Sequence, residues 1–352
     1  MTVTAQGTVP TTGYDGTGPF PVDGPEGEGG GQPVQAALTG LIVALPFAGL
    51  AVAVWMLWGR GIGLADVLLA VGFYAVTGLG VTVGFHRLLT HRSFTARPWL
   101  RTALAIAGSM SFEGNVIDWV AVHRRHHAFT DRPGDPHSPY RYGTGLTGRL
   151  RGLAHAHVGW LFRDDPTSAL RYAPDLLDDP AIVRVARAFP ALCAASLLLP
   201  ALAGWAIGGT MRAALTAFLW AGLVRVMLLQ HVTWSVNSLC HMIGSRPHAG
   251  RRFDRSTDLW PLALISFGES WHNGHHSAPS CARHGIGSHQ VDLSAGLIRI
   301  FEHLGWATAV RWPASDRPLR SREPRRHVAA HPTDPERLPE RPMQSGADHS
   351  DR

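Results

Sequence analysis

Four stretches of the chain are almost unbroken runs of apolar side chains, at about 37–58, 64–85, 189–208 and 213–235. Each is close to the roughly 20 residues that the hydrocarbon core of a bilayer requires of a crossing helix. The links at 59–63 and 209–212 are short, so the spans pair into two helical hairpins. A fifth apolar run, Leu100–Met110, is too short to cross and reads as an interfacial or re-entrant helix beneath the polar part of the chain. The pattern predicts an all-α integral membrane protein. Its four transmembrane helices carry a helical cap made from residues 86–187 and 236–312.

The tails differ from the middle. Residues 1–35 are rich in Gly, Pro, Thr and acid and hold no basic side chain, and residues 313–352 are Pro, Arg, Glu and His with almost no large apolar group. Neither buries enough apolar surface to offset the entropy of ordering it, so both are expected to be disordered around a membrane domain at 36–312. The N-terminus lacks the basic segment and short apolar core of a signal peptide, so the first apolar run is expected to stay in the membrane. Three cysteines, Cys193, Cys240 and Cys281, have no paired spacing and imply neither a disulfide framework nor a Cys-rich zinc site.

All 32 basic residues are arginine. Codon bias in a GC-rich genome accounts for that, and the basic balance does not point to nucleic acid. Their placement is more informative. Fourteen arginines lie between His86 and Arg187, whereas the hairpin links carry only Arg60 and Arg212. Positive residues favour the cytoplasmic side, which puts the cap and both termini there. The expected setting is a bacterial inner (cell) membrane, crossed several times. Arg225 is the exception, mid-span in Leu223-Val-Arg-Val-Met227, and is expected to face the protein interior, with a carboxylate as a candidate partner.

Nine histidines stand in four clusters just outside the spans. They are His86 and His91 in HRLLTH; His123, His126 and His127 in HRRHH; His241 in NSLCH; and His272, His275 and His276 in HNGHH. The two HxxHH clusters have the i, i+3, i+4 spacing that puts three rings on one helix face. Neutral imidazole suits iron, zinc, copper and nickel. Nine imidazoles are too many for one ion and suit a pair of five- or six-coordinate ions. Asn237, one turn before His241, is placed to reach the same site through a water. The other eleven histidines, His284 among them, show no comparable grouping; His137, just after the second cluster, is less clear.

The order of these boxes resembles the membrane fatty-acid desaturases, specifically the stearoyl-CoA Δ9-desaturase-like branch. The matching text is HRLLTH, HRRHHAFTDRPGDPHSP, HVGWLF at His157–Phe162, TWSVNSLCH and HNGHH, covering roughly Gly80 to Trp312. The resemblance implies four transmembrane helices capped by a cytosolic domain with a di-iron centre. Its nine ligands would be His86, His91, His123, His126, His127, His241, His272, His275 and His276, with Asn237 acting through a water. It also implies a bent acyl tunnel bounded by Trp119, Thr233 and Trp234, the alternative for the two tryptophans being an interfacial belt. The animal enzymes put glutamine where this chain has Glu113, which alters the hydrogen bond expected to Thr233. Asp131, Arg132, Asp135 and His137 look like surface that meets the substrate head group; Arg124 and Arg125 are candidates for contacts to CoA phosphates or, equally, for a solvated charge patch or an anchor to anionic lipid.

The activity so implied is O2-dependent introduction of a cis double bond, at Δ9, into a saturated long-chain acyl group, with acyl-CoA the favoured carrier. Unactivated C–H bonds lie beyond acid–base side chains and need an oxidant made from O2 at a redox metal, here two iron ions. The chain has no GxGxxG, no four-cysteine iron–sulfur spacing and no haem domain. A separate ferredoxin or NAD(P)H-dependent reductase must therefore supply electrons. Acyl-lipid desaturases and lipid hydroxylases share the boxes, and a non-catalytic zinc-binding membrane protein is a further class.

Overall fold

The computed structural model describes Gly18, Phe20, residues 33–58 and residues 61–313. Both tail expectations otherwise lie outside these residues. Phe20 is buried, and its N–H donates to the Arg141 carbonyl at 2.8 Å.

In chain order the helices begin with α1 (Pro33–Leu57), α2 (Leu64–Leu79), α3 (Pro98–Ser109), α4 (Val116–Phe129) and α5 (Leu146–His157). Two single turns, α6 (Ala169–Tyr172) and α7 (Pro174–Leu177), lead to α8 (Pro180–Arg187) and α9 (Phe189–Gly208). The rest are α10 (Met211–Ala217), α11 (Arg225–Ser238), α12 (His272–Ser277) and α13 (Leu293–His303). Two-residue strands β1 (Thr95–Ala96) and β2 (Ala307–Thr308) pair antiparallel, Thr95 opposite Thr308, and tie the end of the cap to its beginning.

Four helical stretches are long and apolar enough to cross a membrane: Ala36–Leu57, Leu64–Thr90, Phe189–Gly208 and Met211–His241. Their outward residues, such as Leu41, Trp55, Leu68, Val71, Leu202 and Trp205, are large, apolar and exposed, a surface suited to lipid. The second and fourth stretches run past the ends expected from hydropathy. The apolar pattern stops near Phe85 and Ser235, but the helices continue into the cap, where protein rather than lipid surrounds them. These extensions carry His86 and His241 into the cap.

Both long helices contain π-helical turns, Gly80–Thr90 and Phe218–Val224. The first one explains the HxxxxH spacing. On an α-helix, residues five apart are about 140° apart around the axis. The wider π turn closes i to i+5, and the His91 N–H does bond the His86 carbonyl at 3.1 Å. Both rings thus meet the same site. Gly80 and Gly84 let α3 lie against this turn: a Cβ on Gly80 would collide with the Gly108 backbone, and one on Gly84 would stand 2.9 Å from Leu104. The run expected at Leu100–Met110 is therefore a packed helix, burying Leu100, Leu104, Ala105 and Gly108 while Trp99 and Ile106 stay exposed. The cap core gathers Phe85, Leu104, Val120, Ile182 and Ile298 around it.

Arg225 is buried as expected, but its partners are not carboxylates. It donates to the carbonyls of Ala221 (2.9 Å), Ser196 (2.9 Å) and Met110 (3.4 Å) and to Ser196 Oγ (2.9 Å). The reason is local. Pro200 inside α9 has no N–H to give the Ser196 carbonyl, and Met110 is the C-cap of α3. Both carbonyls lack a helical partner, and one guanidinium satisfies them.

Candidate metal centre

The nine clustered histidines converge in two groups. His86, His91, His123, His127 and His275 bring ligand atoms within 4.8 Å of one another, and so do His126, His241, His272 and His276. Each group draws on both halves of the chain. The π turn gives His86 and His91, and α4 gives the HRRHH face. The 3-10 turn Leu239–His241 gives His241, and α12 gives the HNGHH face. α4 starts where the Asn115 side chain accepts the N–H groups of Ile117 and Asp118. α12 is only six residues long and is held by Asp258, whose Oδ1 accepts from Asn273 N (2.8 Å) and Gly274 N (3.2 Å).

The Nε2 atoms face one another at 3.1 Å for His86–His275, 3.1 Å for His123–His127 and 3.0 Å for His127–His275. In the other group the separations are 3.1 Å for His241–His272, 3.1 Å for His272–His276 and 3.4 Å for His126–His276. No such pair among the described contacts joins one group to the other. Ring nitrogens about 2.1 Å from one ion, at right angles, stand about 3.0 Å apart. Without a cation, lone pairs facing at that distance repel. His91 Nε2 is buried with no partner at all. The donor set fits two imidazole-bound ions.

On the far side of four of these rings an Nδ1–H donates to a buried carboxylate. His126 meets Asp135 (3.0 Å), His241 meets Asp131 (2.8 Å), His276 meets Asp254 (3.0 Å), and His86 meets Glu269. Such partners set the tautomer and aim Nε2 inward. Burial alone would raise the Asp135 carboxyl, but His126 outweighs it and holds the group well below the usual carboxylate range. Asp254 behaves likewise beside His276. Burial, with neighbouring histidines adding, pushes His123, His127, His272 and His275 well below their ordinary values, which keeps them neutral and fit to ligate.

These carboxylates correct the reading of the DRPGDPHSP segment as head-group surface. Asp131, Asp135 and His137 are buried, and Asp131 also accepts from Ser138 Oγ (3.0 Å) and Arg255 N (2.9 Å). Asp254 and Glu269 went unnoticed in the sequence; the available signal was an acid three residues before His272. Two further histidines also join the centre. His137 stacks on His126 with ring centroids 4.4 Å apart, and His284 packs 4.3 Å from His275.

Two cavities meet beneath the clusters. The first, about 500 Å3 counted to its open side, is mostly apolar and is lined by Gly78, Val81, Leu229, Val232, Thr233 and Phe267 together with His86, His123 and His272. The second, about 1190 Å3 including its open mouth, is lined by Glu113, Trp160, Gln230 and Trp234, with Thr39, Ile42 and Val43 of α1 on its outer side. Trp119, His123 and Asn237 line both. The structure thus brings Trp119, Thr233, Trp234, Glu113 and Asn237 to one junction. Glu113 is hydrogen-bonded to Thr233 and Trp234; burial pushes its carboxyl up to about 8, and its Oε1 is buried without a partner among the described residues.

Arg124 and Arg125 are elsewhere and fully engaged. Arg124 directs its donors to Asp175 and to the carbonyls of Leu89, Thr90 and Tyr172. Arg125 directs its own to Asp165, Thr167 and the Gly134 carbonyl. A guanidinium has five N–H groups; Arg124 makes five internal contacts, and every guanidinium nitrogen of Arg125 has an internal partner. Bracing of α4 replaces the phosphate-binding role.

The family model described as "Fatty acid desaturase" matches residues 61–297. The hex-5-enoyl-[acyl-carrier protein] acetylenase of Moorena producens is 38% identical over 273 residues, covering 77% of this chain and 84% of that protein. The sn-1 stearoyl-lipid 9-desaturase of Anabaena variabilis is 37% identical over 252 residues, covering 70% and 84%. A chloroplastic palmitoyl-monogalactosyldiacylglycerol delta-7 desaturase of Arabidopsis thaliana is 35% identical over 249 residues, covering 70% and 62%. The chain belongs to the fatty acid desaturase family. It is a membrane oxidoreductase that desaturates fatty acyl chains.

Proposed function

We propose that this chain is an O2-dependent di-iron desaturase that places a cis double bond at Δ9 of a saturated long-chain acyl group. The observation that carries the reading is the sorting of nine imidazoles into a five and a four beside the junction of two cavities. The five- and four-histidine groups would each hold one iron, with Asn237 reaching the four-histidine group through a water. Iron bound there supplies the oxidant, made from O2, that removes two hydrogens from adjacent methylenes. The chain's own residues do the rest. The apolar walls exclude water and hold the acyl chain, and Trp119, Thr233 and Trp234 shape its bend beside the histidines.

The carrier is where the sequence expectation of acyl-CoA gives way to a second reading. The guanidinium nitrogens of Arg124 and Arg125 already have internal partners, and the open cavity is walled in part by α1, a membrane span. Two of the named relatives act on lipid-linked chains. An acyl group carried by a membrane lipid fits these observations better than soluble acyl-CoA. The arginine bias supports a cap facing the cytoplasm of a bacterial inner membrane. Electrons come from a separate donor.

The test is expression of the chain with a compatible reductase, followed by mapping of new double bonds in each lipid class. Monounsaturated chains in glycerolipids, with about two irons per purified chain, support the reading. Hydroxylated chains move the protein to the hydroxylase class. New unsaturation only in acyl-CoA restores the first expectation.

A further inference from the structure

On the cap, α13 and the segments around Arg283 and Trp312 enclose a recess of about 600 Å3, counted to its open side. Its lining shares no residue with either acyl cavity. Arg283 and Arg299 stand on its walls, Arg299 lying over the Trp312 ring at 4.6 Å. Arg311, next in the chain, is also exposed. Trp312 is fixed by its Nε1–H donating to Glu302 at 2.8 Å. The floor is Asp292, whose side chain is almost fully buried.

From that floor an unbroken chain of polar contacts runs inward. Asp292 Oδ1 accepts from Arg87 Nη1 at 2.8 Å, and Arg87 Nη2 donates to Glu269 Oε1 at 3.1 Å. The other oxygen of Glu269 accepts from His86 Nδ1, and His86 Nε2 is one of the five converging imidazoles. Arg87 is fully buried. These contacts also serve the fold, since Arg87 donates to the Ala282 carbonyl and Asp292 caps α13 through Ala295 N, and they give a continuous line from the recess to one histidine group.

We infer that the Arg283–Arg299–Trp312 recess is the docking site of an acidic one-electron carrier of the ferredoxin class, above the contacts leading to His86. The inference rests on the desaturase reading and names its missing partner. Charge complementarity selects the occupant, because Arg283 and Arg299 line the recess, Arg311 is exposed beside it, and the carboxylates Asp292 and Glu302 are already bonded. Each docking event oxidises the carrier by one electron and reduces the metal pair by one. Two events match the two electrons that accompany removal of two hydrogens and reduction of O2 to two waters.

The experiment uses the full chain, iron-loaded, in lipid nanodiscs, with a plant-type [2Fe–2S] ferredoxin as the probe. Binding is measured against salt, and anaerobic oxidation of reduced ferredoxin is followed by its own spectrum. Arg299→Glu with Arg311→Glu is expected to raise Kd by about tenfold or more at low salt and to slow ferredoxin oxidation in step. Dithionite should still reduce that variant at the unaltered rate, and Arg149→Glu on α5 should leave Kd unchanged. Unchanged binding in the double variant overturns the proposal, as does equal loss in Arg149→Glu or no binding by the unaltered chain. A chain that binds ferredoxin here yet makes no alkene overturns the desaturase reading and leaves the dock standing.

Discussion

The two histidine groups are braced on different terms. In the four-histidine group, His126, His241 and His276 each give an Nδ1–H to a buried aspartate, and only His272 Nδ1 lacks a partner. In the five-histidine group, only His86 meets a carboxylate, and that Glu269 is shared with Arg87. His275 Nδ1 is buried and has no partner among the described residues. Three carboxylates make the first group rigid, basic and anionic; the second has one, offset by a guanidinium. The four-histidine group is therefore the better preformed cation site, and the five-histidine group depends more on the ion it holds.

The largest effect that tests this comparison is loss of a ligand. His126→Ala and His272→Ala should abolish alkene formation while the protein still inserts in the membrane, and each should lower bound iron by about one per chain. Full activity in either variant would sink the assignment of the four-histidine group. A smaller effect separates the groups. Asp135→Asn or Asp254→Asn should weaken one iron by about 10- to 100-fold, whereas Glu269→Gln should act on the other ion and leave the four-histidine ion in place. Site-resolved Mössbauer spectra of each variant decide the matter. Loss of the same ion in all three would erase the distinction drawn here. Graded chelation gives a milder version: iron should leave in two phases with a plateau near one ion per chain, and a single phase would mean that the groups bind alike.

How much of this was legible beforehand follows from what repeats. The spans show as unbroken apolar runs, and HRRHH and HNGHH announce themselves by helical spacing, so the four helices and the histidines could be read directly. HxxxxH was legible as a box but not as a π turn, because spacing alone does not say which carbonyl the His91 N–H will choose. The aspartates were hidden for another reason. Asp131 and Asp254 lie 110 and 22 residues from the rings they hold, and a lone acid between arginines looks like surface until the fold buries it. Arg225 shows the converse. Its burial was readable from the apolar run around it, but its partner, a carbonyl freed by Pro200 on another helix, was not.

The smallest effect extends the comparison to an acid outside both groups. Asp135 and Asp254 beside the four-histidine group are held ionised by their imidazole partners, whereas burial raises Glu113 to about 8, so it carries a proton at neutral pH. The folded chain then binds a proton that the unfolded chain has lost between the ordinary carboxyl value and about 8, and stability falls as pH rises through that window. Above about 8 both states are ionised and this contribution is gone. Glu113→Gln keeps a neutral polar group against Thr233 and Trp234 and removes the titration. The melting midpoint of the unaltered chain should therefore drop more between about pH 6 and about pH 8.5 than that of the variant, by about a degree or two. Parallel curves would mean that Glu113 is ionised at the junction like Asp135 and Asp254, and that the tunnel wall and the four-histidine group share one electrostatic design.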